Sequence, residues 1–299
     1  MREYSNNAVR TETNTPVIAF LNGRLIPQPK LVLAFNDAGF VSGTAITDYS
    51  RTYEQKLFRW PEHLVRLRHD CEICEIELPY SDDELKTAAE AILLAQQRLY
   101  AAGTEFALIT YATPGPFGFM AGDSENGPPT VGMHAFPVPL HRYQRFFDEG
   151  AALEIVGVLP QIEGGIVPHS IKHRSRLHWS LAAQLRTEPK NVPVLVDQFG
   201  DSPDTAIGSV LAVVGGVVTR PRSGTILESI GLQIAAEKCR KLGIGFTEFA
   251  GDWRDQFARA SEVLICGTAF GIAGVHRVDG KEFVWPGPVL TALKPVWWK

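Results

Sequence analysis

In the run PHSIKHRSRLHWSLAAQL, Pro168 to Leu185, a single lysine, Lys172, stands beside two arginines, Arg174 and Arg176. The arginines repel its charge. Either Lys172 is a solvated surface cation, or the protein uses its amine, which when neutral attacks carbonyl carbon. Other positions suit a phosphate. Ser229-Ile230-Gly231 opens a helix after the turn Arg222-Ser223-Gly224-Thr225, and the free N–H groups and dipole of such a helix start attract anions. Every helix has that end, however, and most bind nothing. Gly267-Thr268-Ala269 follows a strand and offers a hydroxyl among small residues. In EHLVRL, His63 and Arg66 sit one helical turn apart, and Arg66 can pair with a phosphate or with a surface acid. Asp204 falls in a polar turn, where capping is the ordinary role of an aspartate.

Other chemistries find no support. No GxGxxG follows a strand, no GxxxxGK[ST] occurs, and HExxH and GxSxG are absent. The eight histidines lack ligand spacing, so no metal is expected. Cys71 and Cys74 form one CxxC without a second, and four cysteines in 299 residues make no disulfide framework. They read as half-buried thiols on one helix face of a reduced, cytoplasmic protein. A net charge of −4 gives no reason for a nucleic-acid or membrane partner. No apolar window is long enough to span a bilayer, and the polar opening MREYSNNAVRTETNT has no apolar core of a secretion signal.

These residues need elements to position them. Val17 to Leu25 predicts a hairpin with Asn22-Gly23 as its turn. Leu31 to Phe35, Ala45 to Tyr53, Phe106 to Tyr111 and Val131 to Val138 read as strands, with Leu57 to Trp60 a short partner. Pro61 to Ile76 predicts a helix with Leu64, Leu67, Cys71 and Cys74 on one side, and Ser81 starts another that continues to Tyr100. Residues 114–129, rich in Gly and Pro, predict a loop. Ala152 to Leu159, Val192 to Val196 and Glu262 to Cys266 read as strands, and Val210 to Thr219 as a hairpin about Gly215-Gly216. Lys172 opens a helix to about Arg186. Glu228 to Leu242 predicts a helix with Leu232, Ala235, Ala236, Cys239 and Leu242 inward and Gly243 as its stop. The expected layout is a loose tail over 1–15, a smaller α/β domain over 16–140, a linker over 141–150, and a larger domain over 151–299 carrying Lys172. The class is α/β or α+β.

Read in order, several stretches resemble one family. LNGRLIP and NDAGFVSGTAITDYSRTY are similar to its NG hairpin and its D-x-G…G-x-x-x-F-E-x-x-R-x-Y segment. EHLVRL is similar to E-H-x-x-R-L, and SIKHRSRLHWSLA to its cofactor-lysine segment. DQFGDSPDTAIGSVLAVVGGVVTRP and ASEVLICGTAFGIAGVHRVDG are similar to its two C-terminal motifs. The chain thus resembles, from about Leu21 to Phe283, the class IV aminotransferases of fold type IV, which use pyridoxal 5′-phosphate. That family includes branched-chain and D-amino-acid aminotransferases and aminodeoxychorismate lyases. The resemblance implies a two-domain, D-amino-acid-aminotransferase-like fold and a homodimer acting on small amino and keto acids. It implies that Lys172 holds the cofactor as a Schiff base and moves the proton, and that Asp204 pairs with the pyridine nitrogen. Arg66 and His63, the backbones of Ile230 and Gly231, and Thr268 and Ala269 would hold the phosphate end. The arginines beside Lys172 then have a use, since a cationic setting lowers an amine's pKa.

The chain departs from the family pattern at four places. Asp204 replaces a glutamate, Gly231 a frequent threonine, and Ser209 an asparagine, and FALITYATPG lacks an arginine that several members use for a substrate carboxylate. Arg51, Arg174 or Arg176 can substitute for it, and Phe40 and Tyr111 can line the substrate pocket. The expected activity is transfer of an amino group from an amino acid or other primary amine to a 2-keto acid. The alternatives are a lyase with the same cofactor and a non-catalytic relative.

Overall fold

A computed structural model describes residues 16–159 and 168–298; the tail expected over 1–15 lies outside them. The chain forms two compact units. One runs to Pro139 and takes in Lys172–Ser175, and the other comprises Leu140–Ile171 and Arg176 onward. The lysine segment, expected in the second domain, therefore folds with the first.

In the first unit β1 (Ile18–Leu21) and β2 (Arg24–Pro27) form the hairpin. Asn22 and Gly23 have φ of 46° and 83°, the two positive values that a mirror-image hairpin turn requires. Then come α1 (Ala38–Val41), β3 (Ile46–Tyr53), β4 (Lys56–Phe58), α2 (Trp60–Ile73), α3 (Asp82–Leu99), β5 (Phe106–Thr113) and β6 (Thr130–Pro137). The strands make an antiparallel sheet of order β2-β1-β6-β5-β3-β4. Ser81 and Glu84 close a reciprocal capping box at the start of α3. Leu85, Ala88, Ala89, Ile92, Leu93 and Leu99 form its buried stripe. On α2 the buried side carries His63, Leu64, Arg66, Leu67, Asp70 and Cys71, so polar residues share the apolar face.

Two expectations fail in this unit. Leu31 to Phe35 is not a strand: no described residue pairs with it, and Val32 and Phe35 are 65% and 66% exposed. An apolar run becomes a strand only where a ladder partner takes its backbone groups. Nor does Lys172 open a helix. His173 bridges Ile46, the Thr47 N–H donates to the Lys172 carbonyl at 2.9 Å, and the Arg174 N–H donates to the Ala45 carbonyl at 2.8 Å. The unpaired edge of β3 takes the backbone groups that a helix would have used, and the helix begins only at Leu177.

The second unit contains α4 (Gln144–Asp148), β7 (Ala151–Val158), α5 (Leu177–Gln184), β8 (Val192–Val196), β9 (Asp204–Thr205), β10 (Ser209–Val214), β11 (Val217–Pro221), α6 (Ile230–Leu242), β12 (Phe246–Phe249), α7 (Trp253–Arg259), β13 (Glu262–Gly267), β14 (Gly271–Val278), β15 (Lys281–Glu282) and α8 (Pro288–Leu293). Its sheet runs β12-β11-β10-β13-β14-β7-β8-β9, with β15 on β14. β9 also pairs with β10, so β10-β13-β14-β7-β8-β9 closes into a ring. Residues 141–150, expected as a linker, are packed into this unit. Phe146 is 2% exposed, and the Tyr143 ring lies 5.0 Å from that of Phe270. Aromatic surface of this size is driven into a core. On α6 the buried set is shifted from the expected one. Ile234 and Lys238 are buried, with the ammonium of Lys238 3.0 Å from Glu237, whereas Leu242 in the last turn is 41% exposed. Gly243 stops the helix at φ 68°.

Candidate active site

Backbone pairing sets where Lys172 lies. In the first unit Lys172 lies across from Thr47, Thr47 pairs with Tyr111, and Tyr111 pairs with Gly132. Residues opposite one another in an antiparallel ladder share a face, and i, i+2 neighbours do too. Tyr49, Arg51, Tyr111 and His134 therefore project from one face of this sheet. Asp48 projects from the other, toward α2.

Asp48 organises that second face. Its Oδ2 accepts from Arg66 Nε at 3.0 Å and Nη2 at 2.6 Å, and its Oδ1 lies 2.7 Å from His63 Nδ1. All three residues are buried. Burial pushes the Asp48 carboxyl up, but the charges of Arg66 and His63 and their hydrogen bonds outweigh it and hold the group well below the usual carboxylate range. Asp48 thereby fixes the orientation of the Arg66 guanidinium. His63 Nε2 is buried with no hydrogen-bond partner among the described residues. One turn beyond Arg66, Asp70 accepts the Lys172 N–H at 2.8 Å. Burial raises the pKa of Asp70, partly countered by that bond and by the charge of Arg66. Asp70 thus ties the backbone of the lysine segment to the helix that carries Arg66.

In the second unit the other expected residues also converge. Asp204 pairs with Ser209, and Ser209 with Cys266. The Ser209 and Ser229 hydroxyls are 2.9 Å apart, and Ser229 caps α6 by accepting the Leu232 N–H. A β-carbon on Gly231 would lie 3.2 Å from Cys266 Sγ and 3.4 Å from the Gly267 nitrogen. The start of α6 therefore sits against the end of β13, where Thr268 and Ala269 follow. The same closeness suits glycine at 231, since a side chain there would press on Cys266. The first-turn N–H groups of Ile230 and Gly231 have no intrahelical acceptor. Neither they nor the Thr268 hydroxyl bond to a described residue, and the first turn holds no acidic side chain. A helix start with open donors and no acid in its first turn has the polarity that suits an anion. Asp204 Oδ1 accepts the Thr205 N–H at 2.8 Å, which holds its carboxylate in place.

Other candidates lie elsewhere. Phe40 is 72% exposed on α1. Arg51 is buried, and its Nε donates to the Thr52 carbonyl. The Arg176 guanidinium donates to the Ala206 carbonyl at 2.7 Å. The CxxC thiols are free, and burial pushes Cys71 up to about 12 and raises Cys74 too, so both stay protonated. Reasoning from the sequence missed Asp48 and Asp70. Asp70 left a signal, because 63, 66 and 70 share one helical face. Asp48 left only an acid in the family's glutamate position on a strand, and strand-to-helix pairing has no local spacing.

The family model for amino-transferase class IV matches residues 45–278. The D-alanine aminotransferase of Bacillus licheniformis is 24% identical over 280 residues, 91% of this chain and 94% of that protein. That of Listeria monocytogenes serotype 1/2a is 23% identical over 263 residues, 88% of each chain. The branched-chain amino acid aminotransferase of Escherichia coli superposes with a TM-score of 0.82 at 20% identity, covering 93% of this chain and 92% of that one. The branched-chain enzyme of Thermobaculum terrenum, solved in its PLP-bound holo-form, gives 0.78 at 20% identity, covering 95% and 94%. The chain belongs to the class IV aminotransferase family, with its mixed α/β fold type IV architecture. It is a pyridoxal-phosphate-dependent transaminase.

Proposed function

We propose that this chain moves an amino group from an amino acid or primary amine to a 2-keto acid, with Lys172 as the residue that holds the cofactor and moves the proton. The observation that carries this reading is the strapping of Lys172. Its carbonyl is held by Thr47 and its N–H by Asp70, so the backbone that carries the amine is fixed. Ile230, Gly231, Thr268 and Ala269 supply donors and small residues for the phosphate, and Arg66, aimed by Asp48, supplies a fixed cation. Asp204 stands for the ring nitrogen, which a carboxylate keeps protonated. The bound cofactor supplies an electron sink for the carbanion left when the substrate Cα–H is lost. The Lys172 amine takes that proton and returns it, a role that needs a base on a fixed backbone.

A panel of D- and L-amino acids with several keto acids tests the reading. The expected result is turnover that depends strictly on a keto-acid acceptor. Pyruvate released from an aminodeoxychorismate-like substrate with no acceptor present contradicts it in favour of a lyase, and no turnover with any pair favours a non-catalytic relative.

The same proposal includes a homodimer in the cytoplasm. Leu177, Leu181 and Leu185 are 72%, 51% and 62% exposed at four-residue intervals along and just past α5. An apolar stripe of that kind is the sort of surface a second copy covers. The molar mass in solution should be twice that of the chain; a monomer at micromolar concentration contradicts it. No helix among the described residues is long and apolar enough to cross a membrane. Cell fractionation tests the location, and recovery with membranes counts against it.

A further inference from the structure

The hydroxyls of Ser209 and Ser229 stand 2.9 Å apart, and Ser229 Oγ also accepts the Leu232 N–H at 3.1 Å. Both residues are buried, at 2% and 9% exposure. Each hydroxyl carries one proton and two acceptor sites. Their mutual bond uses one of the two protons, and no other described group accepts the second. Two arrangements satisfy the count. If Ser229 donates to Ser209, the second proton sits on Ser209, inside the sheet, where an unmet donor is costly. If Ser209 donates to Ser229, the second proton sits on Ser229, at the start of α6, where a bound anion can accept it.

The surroundings favour the second arrangement. The backbone of Ser209 is fixed from both sides, by Asp204 on β9 and by Cys266 on β13. Its side chain is therefore a rigid donor for Ser229. The groups that could place negative charge against the helix start are silenced. The first turn of α6 holds no acid. Glu228, just before the cap, accepts from Arg220 Nη1 at 3.0 Å and Nη2 at 2.6 Å and from the Ser223 hydroxyl at 2.8 Å, so its charge is matched. The Cys266 thiol, against Gly231, is pushed up to about 12 by burial and stays neutral. The helix start thus combines two open N–H groups with a hydroxyl proton that the described residues leave without an acceptor.

We propose that the Ser229 hydroxyl donates a hydrogen bond to the cofactor phosphate, with Ser209 as the positioning residue that turns its proton outward. The assignment rests on the reading of the α6 start as the phosphate end, given above, and adds a binding residue and its support to it. It joins two departures from the family pattern in one account. Gly231, where a threonine is frequent, leaves the helix start without a hydroxyl, and Ser229 supplies one two residues earlier. Ser209, where the pattern has asparagine, supplies the hydroxyl that faces Ser229.

The probes are pyridoxal 5′-phosphate and pyridoxal, which lacks the phosphate. Each is titrated into the full chain freed of cofactor by dialysis, and binding is read by visible absorbance. The ratio of the two dissociation constants isolates the phosphate. Ser229→Ala should shrink that preference about 10- to 100-fold, the loss expected for a hydrogen bond to a charged group, and leave pyridoxal affinity unchanged. Ser229→Thr keeps the hydroxyl and should keep the preference. Ser229→Asp caps a helix as well as serine does but brings no proton, so it should lose at least as much as alanine. Ser209→Ala leaves the cap in place and should shrink the preference about three- to tenfold, which tests the pair independently if variants at 229 fold poorly. A preference unchanged in Ser229→Ala, or restored by Ser229→Asp, shows that Ser229 only caps the helix and overturns the assignment. A wild type that binds both probes equally overturns the phosphate reading beneath it as well, so the two failures are told apart.

Discussion

Lys172→Ala is expected to remove catalysis while leaving the fold intact. Loss of a nucleophile that is also the proton carrier should lower kcat by about three to four orders of magnitude. Alanine keeps both backbone bonds of position 172, the N–H that Asp70 accepts and the carbonyl that Thr47 reaches. The urea midpoint should therefore correspond to a change of no more than about 1 kcal/mol, the ordinary size for truncating a half-buried side chain. The visible absorbance of covalently held cofactor should disappear in the same variant. An alanine variant that keeps more than a tenth of wild-type turnover would show that another group moves the proton.

Asp48→Ala carries the largest expected loss of stability. Removing one member of a buried ion pair strands the other, and Arg66 has only 9% of its surface in solvent. Stranded buried charges typically cost about 3–5 kcal/mol, a large fraction of the roughly 5–15 kcal/mol that holds a domain folded. Cofactor affinity should fall as well, since the guanidinium loses the acceptor that aims it. The pH dependence has a definite sign. The folded pKa of Asp48 lies below its reference value of 3.8, so its contribution is complete above the unfolded pKa. That contribution is lost as pH falls from about 5 through 3.8 toward the lower folded value. Asp70 runs the other way: its folded pKa is raised, so it costs stability above its unfolded pKa and that cost shrinks on acidification. Asp48→Asn keeps the shape and removes the charge, and it should flatten the acid limb of a stability profile. A wild-type profile with no loss between pH 5 and 3, or an alanine variant as stable as the wild type, contradicts this account of the pair.

The elements that proved readable from the chain were those specified locally. Asn22-Gly23, the Ser81 and Glu84 capping box, and the Gly215-Gly216 turn each fix a short stretch of backbone through their own chemistry, and each formed as expected. Lys172, Ile230, Gly231 and Thr268 were picked out by residue type and order. What failed was decided at long range. The residues after Lys172 have no intrinsic reason to be extended; the open edge of β3, more than a hundred residues away, makes them so. Leu31 to Phe35 has strand composition but no ladder partner among the described residues. The pairing of Asp48 with Arg66 joins a strand to a helix at a separation that no periodicity marks.

The covalent link is tested most directly by treating the holoenzyme with borohydride and mapping its peptides by mass spectrometry. The account predicts a phosphopyridoxyl group fixed on Nζ of Lys172 and on no other lysine. An unmodified Lys172 peptide from a coloured, active preparation, or the label on a different lysine, contradicts it.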